Sequence, residues 1–403
     1  MNSTKNLPGG VTAAVGFQAG TASAGIKYKM KRDIALIYST VPAVAAGVFT
    51  TNRVKAAPVL VSMRRIAGGK AQAIVVNSGN ANACNGEQGE QDALTMASTA
   101  AGALGISEEH VLVASTGVIG QKMPMGKVLP GILEAAGGMN PEGGAMAAEA
   151  IMTTDTVPKE AVRQIDVGGK KVTVGGMAKG SGMIHPNMAT LLCFITTDAA
   201  ISSACLNRAL KHAVSNSFNL ITVDRDTSTN DMAIVLANGI AGNPEIVGEG
   251  DDYLLFRDAL TDVCISLAID LARDGEGATK LIQVEVRNAL TKEDARLAAR
   301  AVAGSSLVKA AIFGRDANWG RVLCAAGYSG ANFEPGQVDI FLGDEQVAQK
   351  GCSLEFSEER ALDILDNDTV KVILDFNMGK SGATAWGCDL TYDYVRINGD
   401  YRT

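Results

Sequence analysis

Histidine is almost missing from this chain. Only His110, His185 and His212 occur in 403 residues. None has a sequence-local partner at metal-ligand spacing, so the sequence predicts no metal site. No G-x-S-x-G pattern is present, so a histidine-activated serine lacks its usual elbow. Each histidine reads as structural, and only His185 lies near a motif with chemistry in it. The seven cysteines are an odd number, are scattered, and form no C-x-x-C pair. That pattern reads as a reduced interior and not as a disulfide framework or zinc site. Aromatics make up 5%, the net charge is −7, and no basic run exceeds a pair such as Lys170-Lys171. Nucleic acid is therefore not an expected partner. No apolar stretch approaches the ~18 residues of a membrane span. The first twenty residues show neither an apolar core behind a basic region nor arginine enrichment, so the expected location is the cytoplasm.

What the chain does have is apolar mass and glycine. Hydrophobic residues make up 47%, and the length suits two or three domains. Strand and helix patterns alternate. "DIALIYST", "AQAIVVNSG" and "HVLVASTG" read as strands, and "EQDALTMASTAAGALG" as a helix stopped by glycine. In "RQIDVGGKKVTVGG" the apolar residues alternate about Gly168-Gly169, which predicts a hairpin. The helix "LNRALKHAVSNSF", the strand "MAIVLANG" and the helix "YLLFRDALTDVCISLAIDLARDG" follow. Asp274-Gly275 is expected to close that last helix as a glycine cap. Further on come "LIQVEVRNA", the capped helix "TKEDARLAARAVAG", and the strands "QVDIFLGDEQVAQKG" and "TVKVILDF". The change of character predicts a domain boundary near residue 283, with domains 1–283 and 284–403. The mixture favours an α/β fold, a layered α+β sandwich.

The stretch with most chemistry is "KGSGMIHPNMATLLCFITTDAA", residues 179–200. As a phosphate loop it fails: Ser181 stands where a P-loop needs lysine, and His185 where a dinucleotide fingerprint needs glycine. "DRDTSTND", residues 224–231, lacks the glycine and distal glutamate of a calcium loop. It reads better as a turn with Asx-type hydrogen bonds. Thr190 is more informative. It stands at the head of the apolar run 191–195, and a hydroxyl there needs a partner. A hydroxyl is a weak nucleophile without a base. A free α-amine has a pKa near ~8, and the amine of Thr190 itself can serve if the bond from Ala189 to Thr190 is cut. The hydroxyl can open that bond by attacking the Ala189 carbonyl. "ASTGVIG", residues 114–120, offers a hydroxyl and backbone N–H groups for an oxyanion, though a plain strand-to-loop turn explains it equally well.

These segments resemble a known family. "MAKGSGMIHPNMATLLCFITTDA", "NSGNANACNG", "ASTGVIG", "MTTDT", "ITVDRDTSTNDM" and the C-terminal "YVRINGDYRT" are similar to the ornithine acetyltransferases, the bifunctional glutamate N-acetyltransferase/amino-acid acetyltransferases of arginine biosynthesis. The resemblance spans the whole chain. It implies a self-processing enzyme with Thr190 as N-terminal nucleophile, an α chain of residues 1–189 and a β chain of 190–403, assembled as an α2β2 heterotetramer. It implies an oxyanion hole at Thr116 and Gly117. Substrate-binding positions are Thr153, Lys179, Thr190, Glu276, Asn398 and Thr403. The implied substrates are N2-acetylornithine and glutamate, with Lys179 offered to a carboxylate and Glu276 to an ammonium. No cofactor is expected, and acetyl-CoA stands open as a co-substrate. The rival readings are a related self-processing aminopeptidase or amidase, and an unprocessed binding protein of the same fold.

Overall fold

A computed structural model describes residues 8–184 and 191–400. The chain opens with strands β1 (Phe17–Ala22), β2 (Ile34–Phe49), β3 (Lys70–Asn80) and β4 (Val111–Val118). Then come β5 (Lys159–Val167), β6 (Lys170–Lys179), β7 (Leu192–Thr197), β8 (Ile221–Thr222) and β9 (Met232–Ala237). The last part adds β10 (Leu281–Ala289), β11 (Asp339–Leu342), β12 (Glu345–Gln349), β13 (Cys352–Ser353), β14 (Thr369–Asp375) and β15 (Ser381–Cys388). The first six helices are α1 (Ala57–Ile66), α2 (Gly86–Leu104), α3 (Met125–Gly137), α4 (Gly144–Ala150), α5 (Ser203–Ser215) and α6 (Asp251–Arg273). The remainder are α7 (Lys292–Ala303), α8 (Ser306–Phe313), α9 (Trp319–Gly327), α10 (Glu358–Leu365) and α11 (Tyr392–Asp400).

One sheet runs β4-β3-β2-β9-β7-β6-β5, with β1 also on β2. Its organiser is β2. The first part of β2 pairs with β3 and β1, and the last part with β9. Between them the register to β3 shifts, at exposed Thr40, Val41 and Pro42. Proline has no N–H to give a ladder, so the strand breaks pairing and turns there. The two halves of the sheet face each other across one apolar core, in which Ile37, Ile74 and Leu112 meet Phe194, Met232 and Ile234. Their outer faces are covered too. Residues from α2 and α3 pack on Leu36, Val75 and Val113. Residues from α5 and α6 pack on Cys193, Ile195 and Val235. The result is a layered α/β sandwich. Because alternate side chains of β7 enter different cores and every residue of it is buried, its first four residues, Leu192 to Ile195, read as an unbroken apolar run.

The second sheet runs β13-β12-β11-β14-β10-β15-β8. Residue 283 falls inside β10, and a single core continues from Ala46 to Cys388 across both sheets. The predicted hairpin is β5–β6, with Gly168 at φ 57° and Gly169 at φ 79° in a two-residue turn. α2 stops at Gly105 in left-handed conformation, and the Thr291 hydroxyl caps α7 by accepting from the Asp294 N–H. The expected glycine cap on α6 is a correction: Asp274 ends the helix at φ −89°, and the left-handed glycine is Gly277, at φ 68°. Asp274 is drawn into side-chain bonds instead, accepting from the Thr156 backbone N–H at 3.0 Å and from Lys159. No helix of the described residues is long and apolar enough to cross a membrane.

Candidate active site

The site lies where the two halves of the first sheet converge, at the ends of β2. Asn77 of β3 pairs with Ile34, the first residue of β2, and Met232 of β9 pairs with Phe49, the last. Asn230, just before β9, ties the two ends together. Its side-chain N–H groups donate to the carbonyls of Ala81 at 2.6 Å and Ser115 at 2.8 Å. The asparagines of "NSGNANACNG" shape the near wall. Asn77 accepts from the Ser115 hydroxyl at 2.6 Å, and Asn80 donates to the carbonyls of Gln121 and Lys122. These bonds satisfy buried amides that would otherwise cost stability.

Thr116 and Gly117 remain in β4, opposite Ser78 and Gly79, and do not leave the strand as a loop. Gly117 has φ 134°, and a β-carbon there would lie 2.2 Å from the Gly79 carbonyl carbon. Only glycine lets the two strands approach so closely. Lys179 reaches in from the end of β6. Its ammonium donates to the Thr153 hydroxyl at 2.7 Å and to the Thr116 hydroxyl at 3.3 Å. Since that hydroxyl oxygen is already accepting, the O–H of Thr116 is left to donate into the cavity. Lys179 is 8% exposed, and burial lowers its pKa while the nearby Asp155 carboxylate raises it.

Asp155 organises this wall. It accepts from the N–H groups of Thr153 at 3.0 Å and Gly180 at 2.6 Å, and pairs with Lys159 at 2.8 Å and Lys179 at 3.9 Å. Burial pushes its carboxyl up, but the two lysines outweigh burial and hold it below the usual carboxylate range. Lys159 continues the chain of charges to Asp274 at 2.6 Å. Across the cavity, Glu276 accepts from the Asn398 side chain of α11 at 2.8 Å, and its own N–H donates to the Ser181 carbonyl.

Six of the expected residues therefore line one cavity: Thr116, Gly117, Thr153, Lys179, Glu276 and Asn398. About 800 Å³ of it is unfilled by atoms, part of that open to solvent, a size suited to a small metabolite. Leu191 forms part of its lining and is the residue bonded to Thr190. Ala189, Thr190 and Thr403 lie outside the described residues, as does His185. Hydroxyls, an ammonium and a carboxylate facing one space suit polarisation of a carbonyl and capture of a zwitterionic substrate.

The amino-acid sequence matches the ArgJ family over residues 18–403. The chain belongs to the ArgJ family. It is an acyltransferase of arginine biosynthesis. An arginine biosynthesis bifunctional protein ArgJ from Symbiobacterium thermophilum is 60% identical over 399 residues, covering 98% of this chain and 99% of that one. The protein of the same name from Caldanaerobacter subterraneus subsp. tengcongensis is 54% identical over 401 residues, with 98% and 99% covered. A crystal structure of arginine biosynthesis bifunctional protein ArgJ from Bacillus halodurans is 48% identical, with a TM-score of 0.51. It is matched over 98% of its length by 52% of this chain.

Asp155 and the segment from Ser228 to Asp231 belong to the site, and the sequence alone assigns them no role. Asp155 sits in "MTTDT" and Asp231 in "ITVDRDTSTNDM". The Asx turn expected in the second segment is present, with the Asp226 N–H donating to Asp224 at 3.2 Å. The same segment also supplies Ser228, Thr229, Asn230 and Asp231 to the cavity. Its signal was a polar pair, Asn230-Asp231, set against the apolar run of β9.

Proposed function

We propose that this ArgJ-family chain transfers the acetyl group of N2-acetylornithine to glutamate through an acetyl ester on Thr190, after cutting itself between Ala189 and Thr190. The observation that carries the reading is the convergence of Thr116, Gly117, Thr153, Lys179, Glu276 and Asn398 on one cavity whose lining includes the neighbour of Thr190. The Bacillus halodurans chain supports the cut. Just over half of this chain matches nearly all of it, and residues 190–403 are just over half.

Cleavage gives Thr190 an α-amine beside its own hydroxyl. The amine takes the hydroxyl proton as Oγ attacks the acetyl carbon. Thr116 Oγ and the Gly117 N–H hold the oxyanion, donors worth about 3 kcal/mol each in such sites. Lys179 fixes the Thr116 hydroxyl and adds positive charge. Glu276 receives the side-chain ammonium of ornithine, with Asn398 holding its carboxylate in place. Ornithine leaves, glutamate enters, and its α-amine takes the acetyl group to give N-acetylglutamate. Water must stay out during the exchange, or the ester hydrolyses. The enzyme in this reading is an α2β2 assembly working in the cytoplasm, with no cofactor.

Intact mass spectrometry after incubation with N2-acetylornithine tests the scheme. The expected result is two fragments, the one beginning at residue 190 heavier by one acetyl group. A protein that stays one covalent piece and still transfers acetyl groups refutes it. Release of free acetate without transfer identifies a hydrolase instead. Incubation with acetyl-CoA alone asks whether that donor also loads Thr190.

A further inference from the structure

Asp231 is a buried acid that the scheme above does not use. It is 3% exposed, lines the catalytic cavity, and its Oδ2 has no hydrogen-bond partner among the described residues. Such an orphaned oxygen costs stability, so its retention at a reactive cavity calls for a task. Burial pushes the carboxyl well above the ordinary carboxylate range, against the weaker pulls of Ser228 and Lys179. Its place in the ladder points to the task. β7 and β9 run parallel with Leu192 opposite Met232, and the Met232 N–H donates to the Leu191 carbonyl. Position 231 is thus the neighbour of position 191 on the next strand, and adjacent strands lie about 4.8 Å apart. The nitrogen released by self-cleavage belongs to the residue bonded to Leu191. That residue lies outside the described residues, but Leu191, to which it is bonded, is the ladder neighbour of Asp231.

We propose that Asp231 is the acid that protonates the departing nitrogen during self-cleavage and, afterwards, the carboxylate that holds the freed α-ammonium. The inference rests on the self-cleavage of the preceding section. As the bond from Oγ to the Ala189 carbonyl carbon forms, the carbon–nitrogen bond breaks and the nitrogen takes the Asp231 proton. The hydroxyl proton returns to the carboxylate, so ester plus amine replace amide plus alcohol with no proton gained or lost. The new amine is basic enough to take that proton in turn, leaving an ammonium–carboxylate pair. Glu276, the other carboxylate lining the cavity among the described residues, already accepts from Asn398. Asp155 is held ionised between two lysines. Of the surrounding charges, Lys179 acts on Asp231 directly, and Asp155 and Glu276 act on Lys179.

The test follows cleavage of purified wild type, Asp231→Asn and Asp231→Glu by mass spectrometry across pH. The asparagine keeps the shape but has no acidic proton. We expect Asp231→Asn to cleave at least about a hundredfold more slowly, with an unchanged thermal melt. Asp231→Glu should recover part of the rate. Wild-type cleavage should slow as pH rises through the elevated carboxyl value, while the residual rate of Asp231→Asn should lack that limb. Asp231→Asn cleaving within a few-fold of wild type, or keeping the same limb, overturns the proposal. Should the asparagine variant not fold, the glutamate variant and the wild-type profile decide, and a wild-type rate with no such limb overturns it. A wild type that never cleaves overturns the parent scheme and this step with it, an outcome distinct from loss in the variant alone.

Discussion

Replacing Lys159 with methionine removes the central charge behind the cavity. The side chain is 1% exposed, and it bonds Asp155 at 2.8 Å and Asp274 at 2.6 Å, themselves 0% and 6% exposed. Methionine fills nearly the same volume, so packing changes little and the loss is electrostatic. Asp274 would keep only its bonds from Thr156, and Asp155 only its more distant Lys179 and two backbone N–H groups. Removing one partner of a buried ion pair typically costs about 3–5 kcal/mol, because a charge is left uncompensated. Adding Asp274→Asn removes one stranded charge and should restore about 1–3 kcal/mol of that, as for contacting pairs in general. Urea unfolding in a Thr190→Ala background keeps the chain in one piece and makes the comparison clean. With a slope of about 3 kcal/mol/M, the single variant should lower the midpoint by roughly 1–2 M with the slope unchanged. A shift below about 0.3 M, or no recovery in the double variant, would refute the argument that this triad is held together by mutual compensation.

Three further outcomes follow from the same geometry. Thr116→Ala should leave the melting temperature unchanged and lower kcat by about 10²–10³, the usual cost of one oxyanion donor; steady-state transfer from N2-acetylornithine reads it. Gly117→Ala should fail to give soluble native protein, since its β-carbon would meet the Gly79–Asn80 backbone at 2.2–2.5 Å in a backbone conformation that disfavours side chains; yield and circular dichroism check this. Asp155 has a folded pKa below its unfolded value. Its contribution is therefore complete above about pH 4 and is lost as pH falls through the lower folded value. Acid unfolding of Asp155→Asn should show a shallower loss of stability below about pH 4 than wild type.

Layering and most strands were legible because the sheet halves are buried on both faces. The first four residues of β7, Leu192 to Ile195, are apolar for that reason, and the Gly168-Gly169 turn can be read from its spacing. The bend in β2 was not legible. "DIALIYST" reads as a strand that stops before Pro42, whereas the structure carries the strand on to Phe49 and uses the proline as the corner. A local pattern cannot tell a strand that ends at a proline from one that changes partners there. The end of α6 was misread for a related reason. Aspartate before glycine signals a cap locally, but Asp274 has a stronger claim on it from Thr156 and Lys159, more than a hundred residues away.

The site itself was legible only through family resemblance, since Thr116 and Lys179 are 63 residues apart and meet through one hydrogen bond. Yet the sequence holds a clue that does not depend on kinship. Thr190 precedes the apolar run of β7, and Asp231 precedes the apolar run of β9. The two strands are parallel neighbours in matched register. A polar side chain at the head of a buried strand must find a partner or forfeit about 1–3 kcal/mol. Asp231 heads its strand at the end of the sheet that lines the cavity, and there the partner can be a substrate. Either residue alone is explained by an ordinary turn. The pair is not, because the carboxyl at 231 remains without a partner for Oδ2 among the described residues.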